Sequence, residues 1–435
     1  MRVTVRPGVA HGQVAAPPSK SYAHRMLIGA ALAAGVSRVR GIIPSEDMLA
    51  TLDCITALGA TYTADGDGTL TVRGLGAQSD SEPHTETAVY PCRESGSTLR
   101  FFLPLALAAS PGGGSACFRG TPRLMERGVG VYETLFAKRG IRLEKGTDTL
   151  TVTGTLTPGA YTIPCNISSQ FATGLLFALP LLDGDSTLCI LPPVESRLYI
   201  DITVDVLRRF GVRAEETEPN TFAVTGRQAY RPADVTVEGD WSNGAFLYAL
   251  NTVGGQVEVT GLSRDSLQGD RVCLSCFRRL TGQETAPGQE TAPETGEPAG
   301  APAGAPAGAI DISSCPDLGP VLFAVAAVGG RGAVFTGTRR LRIKESDRAA
   351  AMAGELARFG AQVEVEENRV LVRPATLHPP DGVLCGHNDH RVVMALSVLA
   401  ARYGGVIDGA EAVKKSYPDF FSVLERLGLE VAYHT

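Results

Sequence analysis

The stretch Pro17–Gly41, PPSKSYAHRMLIGAALAAGVSRVRG, decides how the rest of the chain is read. A short polar loop comes first, then a run of small and apolar residues, then Gly35, then a β-rich run that closes on Gly41. The same order returns in CRESGSTLRFFLPLALAASPGGGSACFRG, CNISSQFATGLLFALPLLDGDSTLCI, EGDWSNGAFLYALNTVGGQVEVTG, CPDLGPVLFAVAAVGGRGAVFTG and GHNDHRVVMALSVLAARYGGVIDG. The polar loops sit at Ser19, Ser95, Ser169, Ser242, Asp317 and Asp389, separated by 76, 74, 73, 75 and 72 residues. Self-similarity at so steady a period marks a repeated supersecondary unit.

Each repeat holds a second segment of helical period: SEDMLATLDCITALG, MERGVGVYETLFAKRG, YIDITVDVLRRFG, DRVCLSCFRRL, ESDRAAAMAGELARFG and YPDFFSVLERLG. Apolar residues recur there at three- and four-residue steps, and Gly closes most of them. Alternating hairpins follow, as in ATYTADGDGTLTVRG and AQVEVEENRVLVRP. The repeat is therefore βαβαββ. Its first helix, apolar nearly all round, is expected inside a helix bundle, with the amphipathic second helix as outer neighbour. Six repeats divide into two domains of three. Residues 281–309, TGQETAPGQETAPETGEPAGAPAGAPAGA, are too poor in apolar bulk to order themselves and read as a flexible insertion. They fall where the fourth repeat would make its hairpin, which is expected to be reduced or rebuilt.

At 435 residues the chain is too long for one ordinary core, and 44% hydrophobic against 20% charged residues suits globular domains. A formal net charge of −6 argues against nucleic acid or an anionic membrane as general partner, so any grip on an anion needs a local basic cluster. The N-terminus lacks the pattern of a signal peptide, and no run of 18 apolar residues occurs, so a cytoplasmic location is expected. Nine scattered cysteines read as reduced thiols. Cys273 and Cys276 form a lone CxxC without a second ligand pair, which reads as helix interior rather than zinc.

The loops that open the first helices carry the chemistry. Lys20, Ser21 and Arg25, then Gly96, Ser97 and Arg100, then Ser168, Ser169 and Gln170 stand where helix N-termini offer unpaired N–H groups and partial positive charge. Lys and Arg there add charge-assisted contacts to phosphate or carboxylate. The plain alternative is that Ser and Asp are N-caps. RLRIKESDR, residues 340–348, packs six charged residues into nine. Alternation predicts a half-buried strand with Leu341 and Ile343 on one face and Arg340, Arg342 and Lys344 on the other, and a helix starting at Ser346. KKSYPDFF offers a similar junction, with Lys415 leading and Pro418 inside the first turn. His387 and His390 lack the further ligands a metal site needs, and no P-loop or GxGxxG stands between a strand and a helix. Cys117 reads as a buried strand residue rather than a nucleophile.

The motifs PPSKSYAHR, GSTLRF, TPRLMERG, ISSQF, EGDWSNGAF, PDLGP, RIKESDR, NDHR and KKSYPDFF, in order and nearly end to end, resemble the enolpyruvyltransferase family, and within it the EPSP synthases (3-phosphoshikimate 1-carboxyvinyltransferases). The resemblance implies an α/β (α+β) protein, a two-domain inside-out α/β barrel of six βαβαββ repeats with its cleft between the domains. One domain is expected to comprise residues 1–17 and 238–435, the other 18–237, with crossovers near Pro17–Ser19 and Val237–Gly239. It implies transfer of enolpyruvyl from phosphoenolpyruvate to the 5-hydroxyl of shikimate 3-phosphate, without metal or cofactor, by a monomer. Carried over, Lys20, Ser21, Arg25, Ser168, Ser169, Gln170, Ser196, Tyr199, Asp317 and Lys344 bind shikimate 3-phosphate. Lys20, Gly96, Arg123, Gln170, Arg348, Arg391 and Lys415 grip phosphoenolpyruvate. Asp317 and Glu345, with Lys20, are the catalytic set: Asp317 takes the hydroxyl proton and Glu345 protonates the methylene carbon. That step needs a neutral Glu345, whereas Lys344 and Arg348 beside it favour the carboxylate.

Two departures stand out. Glu94-Ser95-Gly96-Ser97 replaces the Asn-Ala-Gly-Thr of many members, and Arg340 stands where some have Asn. Two alternatives keep part of the pattern. A UDP-N-acetylglucosamine enolpyruvyltransferase uses a loop Cys, and Cys117 lies six residues before Arg123, but that family lacks KESDR. A non-catalytic anion-binding paralogue is expected to have lost Asp317 or Glu345, and both are present. Gly96 goes with glyphosate sensitivity in the family, so turnover is expected to fall as glyphosate rises. A rate unchanged at high glyphosate refutes that expectation.

Overall fold

In the computed structural model, which describes residues 1–75, 87–109, 114–282 and 308–434, the repeats fold into two units with separate cores. Met1–Pro17 with Gly239–Thr435 make the terminal unit and Pro18–Glu238 the central unit. The central unit contains α1 (Lys20–Leu32), α2 (Glu46–Leu58), α3 (Gly96–Ala108), α4 (Pro122–Arg127), α5 (Gly130–Ala137), α6 (Gln170–Ala178) and α7 (Arg197–Arg209). The terminal unit contains α8 (Trp241–Ala249), α9 (Cys273–Thr281), α10 (Gly319–Gly329), α11 (Arg348–Ala357), α12 (His390–Tyr403) and α13 (Phe420–Arg426).

Sequence pattern explains which helices are inside. Every residue of α1 from Tyr22 to Leu32 is buried, as is every residue of α6 from Phe171 to Ala178. Without a polar stripe to keep in water, such helices are most stable when wrapped on all sides, each fully buried Leu, Ile or Phe contributing about 1.5–3 kcal/mol. α7, by contrast, buries Ile200, Ile202, Val206 and Leu207 and leaves its remaining face to Arg208 and Arg209. In the central unit α3 packs on α6, and α1 packs on α2 and α7. In the terminal unit α10 packs against α9, α11 and α12.

The sheets repeat with the helices. Ala88–Arg93 runs parallel to Gly114–Gly120, which pairs antiparallel with Thr149–Gly154 and so with Arg142–Lys145. The same order recurs from Gly159–Pro164, from Ala309–Asp311 and from Leu384–Cys385. In the first repeat the parallel partner of Val36–Arg40 comes from far along the chain, Asp234–Thr236, and this closes the central unit. In the sixth, the N-terminal strand Arg2–Val5 lies between Gly405–Asp408 and Val431–His434. The fourth repeat keeps only a parallel pair, His11–Ala15 with Gln256–Thr260, among the described residues. Residues 283–307, most of the expected insertion, lie outside them.

Four local expectations need correction. Residues 339–343 form a 3₁₀ turn, not a strand: Arg340 and Leu341 are buried while Ile343 is 46% exposed. The preceding strand Ala333–Thr336 ends at Gly337, whose φ of +73° turns the chain, and Arg339 N donates to Asn368 Oδ1 (3.0 Å) instead of extending the ladder. α11 starts at Arg348, two residues after the expected Ser346, because Asp347 is the N-cap and accepts from Ala350 N. Pro418 precedes α13, which is entered through Asp419, and Lys415 ends a 3₁₀ turn over Ala410–Lys415. The amphipathic run at 125–140 is also divided, between α4 and α5, where Gly128 adopts φ +69°.

One close crossing makes the bundle testable. A Cβ on Gly174 of α6 meets Arg100 O at 2.5 Å and Tyr132 Oη at 2.5 Å. That hydroxyl lies 3.0 Å from Arg100 O and 2.9 Å from Phe171 O, donating between α3 and α6. Gly174→Ala is therefore expected to destabilise the protein by about 1–3 kcal/mol in denaturant unfolding, since backbone on the far side cannot give way.

Candidate active site

In the central unit α1 begins with Lys20, and one turn on it presents Arg25 to the interior. The Arg25 guanidinium is 2% exposed. Its Nε donates to Thr203 Oγ1 (2.9 Å), its Nη1 to Ser21 O (2.7 Å), and its Nη2 to Thr173 Oγ1 (3.1 Å) and Tyr199 O (3.2 Å). Among the described residues these hydrogen-bond partners are all neutral oxygens. Burial pulls the guanidinium down to about 10, still charged at neutral pH. A buried cation bonded only to neutral groups is costly and is poised for an anion. Lys20 Nζ pairs with Asp47 of α2 at 2.8 Å.

The next two helix starts are tied together. Arg100 Nη1 donates to Gln170 Oε1 (2.6 Å), and Gln170 Nε2 donates to Ser97 Oγ (2.8 Å). Ser168 Oγ accepts from Gln170 N (3.2 Å), and Ser169 is the buried N-cap of α6. Arg100 and Arg127 flank Gly96: a Cβ there would stand 3.1 Å from Arg100 Nη1 and 3.1 Å from Arg127 Nη2. Ser196 is fully buried at the start of α7 with φ +56°, a left-handed conformation that a serine adopts at a cost of about 1–3 kcal/mol.

The terminal unit gathers its charges around one side chain. Arg348, 1% exposed at the first position of α11, bonds three carboxylates: Nη1 to Asp317 Oδ1 (2.7 Å), Nη2 to Glu345 Oε2 (2.6 Å) and Nε to Asp389 Oδ2 (2.8 Å). Burial works against its charge, but Asp389, Glu345 and Asp317 overcome that and hold it well above the ordinary guanidinium range. Lys344 Nζ lies 3.2 Å from Asp317 Oδ1. Burial lowers Lys344 to about 8 despite Asp317, and Arg340 and Arg348 add to the lowering. Ser346 Oγ donates to Asp389 Oδ2 (3.1 Å). Arg391 Nη1 donates to Asn243 Oδ1 (3.1 Å) and Nη2 stands 3.8 Å from Asp317 Oδ2. Lys415 Nζ donates to Asn388 O (2.7 Å).

The N-cap reading of the loops holds at Ser95, which accepts from Thr98 N, and at Asp389, which accepts from Arg391 N. In the fourth repeat the cap is Asp240, with Ser242 inside the first turn. Ser19 and Ser169 make no side-chain cap bond, and Asp317 lies in the 3₁₀ turn Pro316–Leu318 with its carboxylate among the cations. The central unit therefore groups Ser21, Arg25 and Tyr199, and separately Gly96, Ser168 and Gln170. The terminal unit groups Asp317, Lys344, Glu345, Arg348 and Arg391. Arg123 stands apart, its side chain 45% exposed and paired with Glu126 at 3.3 Å. Sequence reasoning left out Arg127, Asp47, Thr173, Thr203 and Asn243. Arg127 sat in the quoted motif TPRLMERG, so its charge was a usable signal, whereas the others touch the site through contacts far apart in sequence.

Among the described residues no group of His, Cys, Asp and Glu is arranged to hold a metal ion, and no helix is long and apolar enough to cross a membrane. Cys273 and Cys276 are buried in α9, and Cys117 is half-buried in the strand Gly114–Gly120.

This architecture is that of the enolpyruvyl transferases. The EPSP synthase of Acinetobacter baumannii, 23% identical, matches with a TM-score of 0.76 over 99% of this chain and 100% of its own. The enolpyruvyl transferase NikO of Streptomyces tendae, 18% identical, matches at 0.75 over 100% and 99%. Sequence narrows the class. The family described as EPSP synthase (3-phosphoshikimate 1-carboxyvinyltransferase) matches residues 6–424. The 3-phosphoshikimate 1-carboxyvinyltransferase of Clostridium kluyveri is 38% identical over 433 residues, 99% of this chain and 98% of its own. That of Clostridium novyi is 35% identical over 436 residues, 98% and 97%. The chain belongs to the EPSP synthase family.

The Lys344 environment predicts a measurable titration. The folded chain releases this proton near pH 8, whereas an unfolded lysine keeps it to about 10.5, so stability from this group rises with pH across that window. Asp317→Asn removes the carboxylate that opposes the shift and is expected to move the Lys344 titration lower still. Lysine side-chain NMR against pH checks it, and an upward shift refutes the assignment.

Proposed function

We propose that the chain transfers the enolpyruvyl group of phosphoenolpyruvate to the 5-hydroxyl of shikimate 3-phosphate, giving 5-enolpyruvylshikimate 3-phosphate and inorganic phosphate. This places it among the transferases of the shikimate pathway, in chorismate and aromatic amino acid biosynthesis. The observation that carries the reading is family membership along nearly the whole chain with both candidate acids retained on one buried arginine, Arg348.

Each substrate carries a phosphate and a carboxylate, so the site must neutralise several negative charges without water. Arg25, with Lys20, Ser21, Ser168, Ser169, Gln170, Ser196 and Tyr199, takes shikimate 3-phosphate. The neutral surroundings of Arg25 favour this role, since an incoming phosphate supplies the counter-charge its buried guanidinium lacks. Lys344 and Asp317 complete the acceptor's binding. Arg348, Arg391 and Lys415, with Lys20, Gly96, Arg123 and Gln170, take phosphoenolpyruvate, and the contact with Gly96 favours Arg127 as a further cation beside it.

Asp317 accepts the hydroxyl proton while that oxygen attacks C2 of phosphoenolpyruvate, and Glu345 delivers a proton to C3, turning methylene into methyl. Phosphate then leaves as Glu345 recovers a proton from the methyl group, restoring the double bond. Free thiols at all nine cysteines favour a reducing, cytoplasmic setting. We take the active chain to be a monomer.

The deciding assay is phosphate release from phosphoenolpyruvate with shikimate 3-phosphate or UDP-N-acetylglucosamine as acceptor. Release is expected only with shikimate 3-phosphate, and Glu345→Gln is expected to slow it about 10²–10⁴-fold. Release with the sugar nucleotide overturns the acceptor and makes Cys117 the residue to mutate. Binding without release overturns catalysis altogether.

A further inference from the structure

Arg348 opens α11, and two turns further along the same helix Glu355 turns its carboxylate inward, where it is buried. That carboxylate holds the first half of the turn leading into α12, at Cys385 and His387. Glu355 Oε2 accepts from Cys385 N (3.0 Å) and Oε1 lies 2.9 Å from His387 Nε2, while Arg358 Nε stands 3.3 Å from Oε2. From the second of these contacts onward the backbone is strained: His387 and Asn388 adopt φ +50° and +52°, successive left-handed residues, neither of them glycine. Such a pair persists only where its surroundings over-determine it.

The strained turn delivers two of the contacts on which the cations of the terminal unit depend. Asn388 O accepts from Lys415 Nζ (2.7 Å). Asp389, the next residue, accepts from Arg348 Nε, Ser346 Oγ and Arg391 N. A shift of this turn therefore moves Lys415, Arg348 and Arg391 together.

We infer that Glu355 is a positioning residue: with His387 it forms a strut that fixes the Cys385–Asp389 turn and, through it, the geometry of Lys415, Arg391 and Arg348 around the anionic cosubstrate. The kinetic part of this inference rests on the function proposed above, while the strut itself does not. Glu355 has no direct part in the chemistry, and its effect falls on one substrate rather than on both.

The test compares Glu355→Ala, His387→Ala and the double variant in the full chain. Amide hydrogen exchange across Cys385–Arg391 is expected to speed up in each single variant. The KM for phosphoenolpyruvate is expected to rise about 10–100-fold, in keeping with small misplacements of gripping groups. The KM for shikimate 3-phosphate is expected to stay within about twofold, and the double variant to be no worse than the more damaging single one, because both remove the same strut. Unchanged exchange, equal rises in both KM values, or additive effects overturn the proposal. Should Glu355→Ala fail to fold, Glu355→Gln keeps an acceptor for Cys385 N, and the surface-reaching His387→Ala carries the kinetic comparison. A wild-type protein that releases no phosphate from these substrates overturns the functional reading instead, and exchange across the turn still decides the strut.

Discussion

The terminal unit is organised around the desolvation of one guanidinium. Taking Arg348 out of water costs several kcal/mol, and that cost is offset only because Asp317, Glu345 and Asp389 converge on its three nitrogens. These carboxylates come from three separate segments: the 3₁₀ turn before α10, the residues before α11, and the N-cap of α12. The same bonds that keep Arg348 charged therefore fix three segments of the fifth and sixth repeats relative to one another. Breaking such a cluster from one side leaves a buried charge uncompensated, at about 3–5 kcal/mol. Stability and charge arrangement are here the same set of contacts.

The central unit meets the problem differently. Arg25 is as deeply buried as Arg348, yet threonine hydroxyls and backbone carbonyls take the place of carboxylates. Dipoles keep such a cation soluble in the protein without neutralising it. The difference has a chemical use. A guanidinium bonded to acids holds them in a fixed orientation, whereas one held by neutral oxygens keeps more of its attraction for an incoming dianion. Acid–base duties therefore suit Asp317 and Glu345 beside the first kind of arginine, and phosphate binding suits the second.

Much of this is legible in the amino-acid sequence itself. The repeat period of 72–76 residues exposed six units, and the absence of a polar stripe in α1 and α6 told which helices are inside. Helix starts were legible wherever a Ser, Gly or Asp cluster met an apolar run. What failed was local geometry that depends on a neighbouring element. RLRI alternates like a strand, but its sheet had already ended at Gly337, so the segment coils into a 3₁₀ turn. Thr173, Thr203 and Asn243 carry no motif of their own. Each matters because of an arginine 148 to 178 residues away, and such pairings are written in tertiary packing rather than in spacing.

The closure of the central unit has a chain-entropic consequence. Ser19 N donates to Glu238 O at 2.7 Å, so this unit begins and ends at one point, and Asp240 N donates to Pro17 O at 2.7 Å, so the terminal unit resumes where it left off. To the terminal unit the whole intervening sequence acts as a very short tether, because the entropy of bringing Pro17 to Asp240 is met by the folding of what lies between. A long flexible loop in its place would add a penalty growing as about (3/2)RT ln n. The order of assembly is thereby biased: the central unit can form on its own contiguous stretch, and its completion brings together the two halves of the other.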